Sequence, residues 1–278
     1  PVFDLNESEF TSLTLSTKIA TGHARFIKND LDSAMEKIGG RVAENVGKNA
    51  LGTLEQVHNA HVPHAPIKQK TFDELKSAID KRNPIELSYY AASTNESTTR
   101  TVEPYKLIQH QGTWYLLAFC NMRQDLRLFA LHRILGLKTV RERRFERYRE
   151  LDIESWLSRA FQIERKGNDQ EWKVRILFRK EAAPYIREKI WQAGQQLEEK
   201  KDGSLVLTFN TLSLPEVKRW VLYYGANAVV LSPKPLVAMI EEELMSALKN
   251  YGAQVSQGRD TRSDNGFNEN EDRSAKRA

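Results

Sequence analysis

Two apolar segments separated by a short turn constrain this chain more than any other feature of its sequence. Residues 101–109 and 113–120 each have the composition of a β-strand, and residues 110–112 form a turn between them, as in a hairpin. A third apolar run, residues 126–131, follows the polar residues 121–125. In the middle strand both alternating sets of side chains are apolar, so we expect both of its faces to be covered. This pattern predicts a small closed barrel.

Arginines lie among these strands, at Arg100, Arg127 and Arg133. A fixed charge inside a sheet costs free energy unless it meets an anion or the solvent. Arg127 and Phe129 are two residues apart and therefore share a face, which continues to Arg133 if the strand stays regular. With Tyr89 nearby, this row offers guanidinium groups for phosphates and rings for stacking bases. It predicts a pocket for an oligonucleotide or a nucleotide.

A structural explanation of the same residues stays open. Phe129 could be a core residue, and the arginines could pair with Glu103, Asp125 or backbone carbonyls. The sequence does not separate this explanation from the pocket.

The stretch also resembles a known family, the WYL domain of bacterial transcription regulators. The resemblance rests on the residues at these positions: Ile85, Leu87, Tyr89, Arg100, Pro104, Trp114, Tyr115, Leu116, Arg127, Phe129, Leu131, Arg133 and Ile134. Family members usually carry an acidic residue where this chain has His132, and a polar or basic residue where it has Ala130.

The resemblance implies an Sm-like, SH3-type barrel of five strands over residues 71–145. It also implies a nucleic-acid-derived ligand. The ligand-binding positions that it implies are Tyr89, Arg100, Arg127, Phe129, His132 and Arg133, and its structural motif consists of Pro104, Trp114, Tyr115 and Leu116.

With 278 residues, the chain is long enough for two domains, each with its own core. Residues 1–70 are predicted to form a helical spacer and dimerisation region with helices at 6–21, 30–38 and 43–58. This spacer resembles the segment that follows the DNA-binding head of WYL regulators. We find no recognition helix here, so such a head would precede Pro1 and would bind duplex DNA in the full-length protein.

Around the hairpin, a capping box at Thr71 predicts a helix to about Arg82. A strand from Ile85 follows, then a polar loop at 91–99, and a last strand is expected at 136–140.

From Glu171 the pattern changes to β-α-β-β-α-β-α, with helices expected at 180–192, 214–224 and 236–251. This order resembles the WCX extension of WYL proteins and implies an α/β sandwich over residues 169–252. Residues 146–168 are interpreted as a linker, and the polar residues 253–278 as a disordered tail. The whole chain is therefore predicted to be an α+β protein.

Composition excludes several classes of protein. No apolar run approaches the length that spans a bilayer, and the single cysteine, Cys120, fits a reducing cytoplasm. No GxSxG, HExxH or phosphate-binding glycine loop is present, so we expect neither an enzyme nor a cofactor. His58, His61 and His64 have no carboxylate or thiol companion, and prolines interrupt them, so we expect no metal site there.

Positive charge is concentrated on the barrel and the segment that leaves it. Residues 100–149 contain eleven Lys/Arg and four Asp/Glu, a net charge of +7 in a chain whose total is +5. This distribution could attract phosphates, or it could be a solvated basic face.

These observations favour the ligand-sensing and dimerisation part of a bacterial transcriptional regulator. Its barrel would bind a single-stranded oligonucleotide or a nucleotide, and the chain would form a homodimer without contacting a membrane. The alternatives are an oligomerisation scaffold that senses nothing, or an accessory domain that regulates a nuclease or another effector enzyme.

Overall fold

The computed structural model describes residues 5–40, 63–141, 143–146 and 170–263. The chain divides into two compact units, residues 1–151 and residues 152–278. Each unit is described by itself.

The first unit begins with two helices, α1 (Glu7–His23) and α2 (Lys28–Gly39). A reciprocal capping box starts α1, as predicted: the Glu9 amide donates to the Asn6 side chain at 3.0 Å, and the Asn6 amide donates to the Glu9 carboxylate at 2.9 Å. The predicted helix at 43–58 lies outside the described residues.

Helix α3 (Gln69–Lys81) leads into the sheet and starts earlier than we predicted. The amides of Thr71 and Phe72 already donate to the Lys68 carbonyl, at 3.0 and 3.3 Å, so Thr71 lies inside the first turn. The predicted capping box at Thr71 is therefore wrong. Leu75, on the inward side of the helix, is fully buried as expected.

The sheet contains five antiparallel strands, as predicted, in the order β4-β3-β2-β1-β5. The strands are β1 (Ile85–Ala91), β2 (Glu96–His110), β3 (Thr113–Cys120), β4 (Asp125–Ala130) and β5 (Ile134–Thr139).

The connection between the two edge strands forces this sheet to curl. In a flat sheet, β4 and β5 would lie about 19 Å apart, four strand spacings. They are joined only by the 3₁₀ turn Leu131–Arg133, and four residues span at most about 14 Å. A contact across the interior agrees with this curvature, because the Ala130 amide on β4 donates to the Tyr89 hydroxyl on β1 at 3.1 Å. The sheet therefore encloses an inner face.

Strand β2 is longer than predicted. It pairs with β1 from Ala91 opposite Glu96 onward, so the polar loop expected at 91–99 shrinks to the turn 92–95. The threonines in this stretch suit a strand that is partly exposed, and cross-strand pairing overrides their polarity.

The hairpin turn between β2 and β3 consists of Gln111 and Gly112, with φ angles of 45° and 76°. Positive φ at both positions is typical of a type I′ turn, which matches the strand twist. A side chain on Gly112 would place its Cβ 2.1 Å from the Pro63 carbonyl oxygen, so the position requires glycine.

The segment that leaves the barrel is fixed to its outer face. The Phe145 amide donates to the Arg82 carbonyl at 2.9 Å, and the rings of Phe145 and Tyr105 lie 5.4 Å apart. Buried Glu103 lies on this side. Burial raises the pKa of its carboxyl, while the charge of Arg143 and a hydrogen bond with Tyr105 oppose the shift.

The second unit has the strand order β7-β8-β6-β9, all antiparallel, which is the βαββαβ arrangement of ferredoxin-like folds. Its elements are β6 (Trp172–Phe178), α4 (Ala183–Arg187), β7 (Gln196–Glu199), β8 (Leu205–Thr211), α5 (Leu214–Tyr223), β9 (Ala228–Ser232) and α6 (Lys234–Ser263).

Two helices in this unit differ from expectation. Helix α4 covers only five residues of the predicted 180–192, because the chain then turns to place the Trp191 indole against Trp220, with ring centroids 4.9 Å apart. Helix α6 runs to Ser263, so its backbone continues eleven residues into the stretch predicted to be disordered from Ala253. Residues 264–278 lie outside the described part.

In the described part of the chain, no helix combines the length and the apolar composition needed to cross a bilayer.

Tyr89→Phe tests the bond across the barrel. It leaves the buried Ala130 amide without its acceptor, so we expect the free energy of unfolding to fall by about 1–3 kcal/mol in urea titrations. Tyr90→Phe is the matched control, because that hydroxyl donates to Asn95 at the surface. Equal losses in the two variants would contradict the assigned role of Tyr89.

Glu103→Gln tests the buried carboxyl. A group whose pKa is raised in the folded state contributes stability at low pH and loses it as pH rises through that raised value. We therefore expect the variant to gain stability relative to wild type as the pH rises from about 4, near the ordinary pKa of a carboxyl group, to about 7. Urea titrations across this range measure the difference, with the exposed Glu86→Gln as control. A difference that stays constant with pH would refute the expectation.

Candidate functional site

The strand register places Arg127 and Phe129 on the inner face of the barrel. Residues directly opposite each other in an antiparallel pair point to the same face. Arg127 lies opposite Ala118, and Phe129 lies opposite Leu116. Both partners are fully buried in the core. The predicted shared face of Arg127 and Phe129 is therefore present.

Arg100 reaches the same face from β2. It lies opposite the fully buried Leu87, and its guanidinium donates to the Thr98 hydroxyl two residues earlier. The guanidinium carbon is 5.9 Å from the centroid of the Phe129 ring, a cation–π contact.

Tyr89 completes the group on the side of β1. Its ring meets Phe129 edge to face, with centroids 5.2 Å apart and planes at 86°. Phe129 is 2% exposed and Tyr89 is 9% exposed. The two rings are thus packed against each other, and Phe129 also packs against Arg100, so neither ring presents an open face to a base in this conformation.

Both arginines keep an unused donor. Among the described residues, the Nε atoms of Arg100 and Arg127 are buried and make no hydrogen bond. A buried donor without an acceptor is costly, and an anion that entered the inner face could satisfy it.

Arg127 has one acidic neighbour, Asp125, at the first position of β4. Arg127 Nη2 lies 3.3 Å from Asp125 Oδ2, and the side chains of Arg127 and Asp125 are 36% and 47% exposed. The sequence left open that these residues have a purely structural role. Two features of that alternative are present: Phe129 is a core residue, and Arg127 pairs with Asp125. Glu103 is on the outer side and has Arg143 as its basic neighbour.

His132 and Arg133 do not continue the strand. They lie in the 3₁₀ turn Leu131–Arg133, so the strand ends at Ala130. A regular strand was the condition for the shared face to continue to Arg133, and that condition is not met. The physical reason is the tight return to β5. Partial desolvation and then the charge of Arg133 lower the pKa of His132, which keeps its imidazole neutral at pH 7.

Residues of the structural motif lie beside the site. Leu116, the cross-strand partner of Phe129, is fully buried on the same inner face, and Pro104 lies opposite Ala118 at a bulge in β2. Trp114 packs edge to face on Phe72 of α3, with centroids 5.1 Å apart. Tyr115 is half-buried, opposite Ala130.

Thr98 and the Ala130 amide also belong to the site, and neither was predicted from the sequence. Thr98 fell in a predicted loop, although Thr98, Arg100 and Val102 alternate as strand residues do. The amide has no signal of its own in the sequence.

The described residues contain no group of His, Cys, Asp or Glu that could hold a metal ion. Of the three histidines considered above, His58 and His61 lie outside the described residues.

Comparison with known proteins identifies both units. The family model of the WYL domain matches residues 70–139, and that of the WCX domain matches residues 170–248.

Curated relatives agree with this result. The HTH-type transcriptional regulator YobV of Bacillus subtilis is 29% identical over 188 residues, 66% of this chain and 56% of YobV. Protein PafC of Mycobacterium tuberculosis is 23% identical over 264 residues, 90% of this chain and 80% of PafC. The chain thus spans little more than half the length of YobV.

A solved structure, the proteasome accessory factor B/C (PafBC) of Arthrobacter aurescens, is 20% identical and matches 87% of this chain and 34% of its own, with a TM-score of 0.35. A score this low adds nothing to the assignment. The two domain models, matched in this order over the two described sheets, show that the chain belongs to the WYL-domain family and carries a WCX domain after its WYL domain.

Proposed function

We propose that this chain is the ligand-sensing part of a transcriptional regulator, and that its WYL barrel binds a nucleic-acid-derived effector through phosphate groups. The observation that carries the proposal is the pair of arginines on the inner face, Arg100 and Arg127, each with a buried Nε that lacks an acceptor. The relationship to YobV supports the regulatory context.

Phosphate suits these arginines because a guanidinium presents two parallel N–H groups to its oxygens. The net charge of +7 over residues 100–149 attracts a polyanion to this part of the chain. Arg133, half-buried in the 3₁₀ turn, adds a third cation at the edge of the barrel.

The aromatic residues act in this proposal as supports. Phe129 holds Arg100 by the cation–π contact, and Tyr89 holds Phe129 edge to face. Stacking of a base on either ring would require the packed group to open. His132 would serve as a hydrogen-bond donor.

We propose further that the chain forms a homodimer through its N-terminal helices and acts in the cytoplasm. On α1, Leu13 and Ile19 are 38% and 47% exposed, although Phe10 on the same helix is buried. Exposed apolar side chains on one helix are candidates for a subunit contact.

Arg127→Ala tests the ligand site. We expect the affinity for a fluorescein-labelled oligothymidylate of roughly eight nucleotides, or for a member of a nucleotide panel, to fall by about 1.5–3 kcal/mol. Fluorescence anisotropy at ~50 and ~200 mM NaCl should also show a shallower salt dependence.

Lys138→Ala is the matched control for this test. It removes the same charge from the outer face, where Lys138 lies 3.8 Å from Glu86. If no probe binds wild type, or if Arg127→Ala binds as well as wild type, the proposed function is wrong.

The dimer is tested by sedimentation at micromolar concentration. Wild type should sediment as a dimer, and Ile19→Asp should sediment as a monomer because it places a charge in the apolar contact. Met122→Asp changes an apolar side chain that is 57% exposed in the turn between β3 and β4, and it should leave the dimer intact. A monomeric wild type, or loss of the dimer in Met122→Asp alone, would contradict the proposal.

A further inference from the structure

The ion pair between Asp125 and Arg127 occupies the position where a ligand phosphate would bind. Asp125 and Arg127 are two residues apart on β4, opposite Cys120 and Ala118, so both side chains leave the strand on the inner face. The contact joins Asp125 Oδ2 to Arg127 Nη2 at 3.3 Å. A carboxylate and a phosphate compete for the same guanidinium.

We infer that Asp125 is an internal competitor for the ligand, which holds Arg127 in the absence of a phosphate and limits which anions can bind. This inference rests on the proposed function, since it concerns the same arginine. It assigns to Asp125 a role in specificity.

A ligand phosphate can displace Asp125 from Arg127 at little cost in free energy. Both side chains are partly exposed, at 36% and 47%, and ion pairs at such positions are weak and screened by salt. The backbone of Asp125 is held by its pairing with Cys120, so the carboxylate can rotate away while the strand stays in place. Displacement therefore leaves the barrel intact.

The carboxylate uses only part of the guanidinium. Asp125 contacts Nη2, whereas Nε is buried and has no hydrogen-bond partner in the described structure. A phosphate that engaged both Nε and an Nη atom would satisfy a donor that Asp125 leaves unused. A carboxylate ligand could make the same two contacts, but a phosphate monoester or inorganic phosphate carries about −1.5 to −2 charges at pH 7 and attracts the guanidinium more strongly. We therefore expect such phosphates to displace Asp125 more readily than simple carboxylates do.

The experiment compares four proteins by anisotropy with the labelled oligothymidylate at ~50 and ~200 mM NaCl. They are wild type, Asp125→Asn, Arg127→Ala and the double variant. Asn has nearly the shape of Asp but lacks the charge, and Asp125→Ser is a second variant in case Asn disturbs the turn. Circular dichroism and thermal unfolding confirm that each protein is folded.

Glu86→Gln is the matched control. It makes the same change of charge and breaks a comparable exposed ion pair, with Lys138 at 3.8 Å on the outer face. Any general effect of net charge on binding appears in this variant.

We expect Asp125→Asn to bind about two- to five-fold more tightly than wild type at low salt, as befits the loss of a weak ion pair. The gain should shrink at high salt and should exceed that of Glu86→Gln. In the Arg127→Ala background the same substitution should produce no gain beyond the control, because the guanidinium for which Asp125 and the ligand compete is gone. Inorganic phosphate should compete with the oligonucleotide better than acetate in wild type, and by a smaller margin in Asp125→Asn.

Each contrary outcome has a distinct meaning. If wild type binds and Arg127→Ala weakens binding, but Asp125→Asn does not tighten it, the role of Asp125 is refuted while the proposed function stands. A gain of equal size in the Arg127→Ala background would likewise refute it, since the effect would not pass through Arg127. If no variant binds any probe, the proposed function fails and this inference fails with it.

Discussion

The hydrogen bond from the Ala130 amide to the Tyr89 hydroxyl joins β4 to β1 across the interior of the WYL barrel. Strand β4 is an edge strand, so one side of its backbone has no neighbouring strand. Tyr89 supplies an acceptor from β1, across the interior, and its ring packs on Phe129 at the same time. The Tyr89 side chain thus accepts a hydrogen bond from the edge strand β4 and links β4 to β1. It also packs on Phe129, the ring that Arg100 contacts.

The arginines follow from that arrangement. Each extends from a position whose cross-strand partner is a buried apolar residue, Leu87 for Arg100 and Ala118 for Arg127. Their stems contribute to the apolar interior, while their charged ends need partners that the barrel supplies only in part. Thr98 and Asp125 supply one contact each, and the Nε atoms remain without an acceptor in the described structure. A bound anion would supply the acceptors that these Nε atoms lack.

Much of the fold and about half of the site could be predicted from the sequence, and the division has a physical basis. Period-two alternation encodes which face a residue occupies, so the shared face of Arg127 and Phe129 was predictable. Alternation ends where a strand ends, and the 3₁₀ turn that removes Arg133 from this face is dictated by the closure of the sheet. Nor does the sequence encode backbone partners, which is why the acceptor role of Tyr89 toward Ala130 was missed. The same holds for Thr71, whose place in the helix was decided by where α3 packs and not by its hydroxyl.

The three-residue connection between β4 and β5 also limits how this domain can diversify. It keeps the two edge strands within about 14 Å of each other where they are joined, and a longer link would relax that bound. The turn 92–95 can vary more freely in length, because it is exposed to solvent and joins two strands, β1 and β2, that are already paired. With this connection in place, the inner face can change its binding properties through substitutions, and the surface can change through insertions at the β1–β2 turn, while the two edge strands stay close.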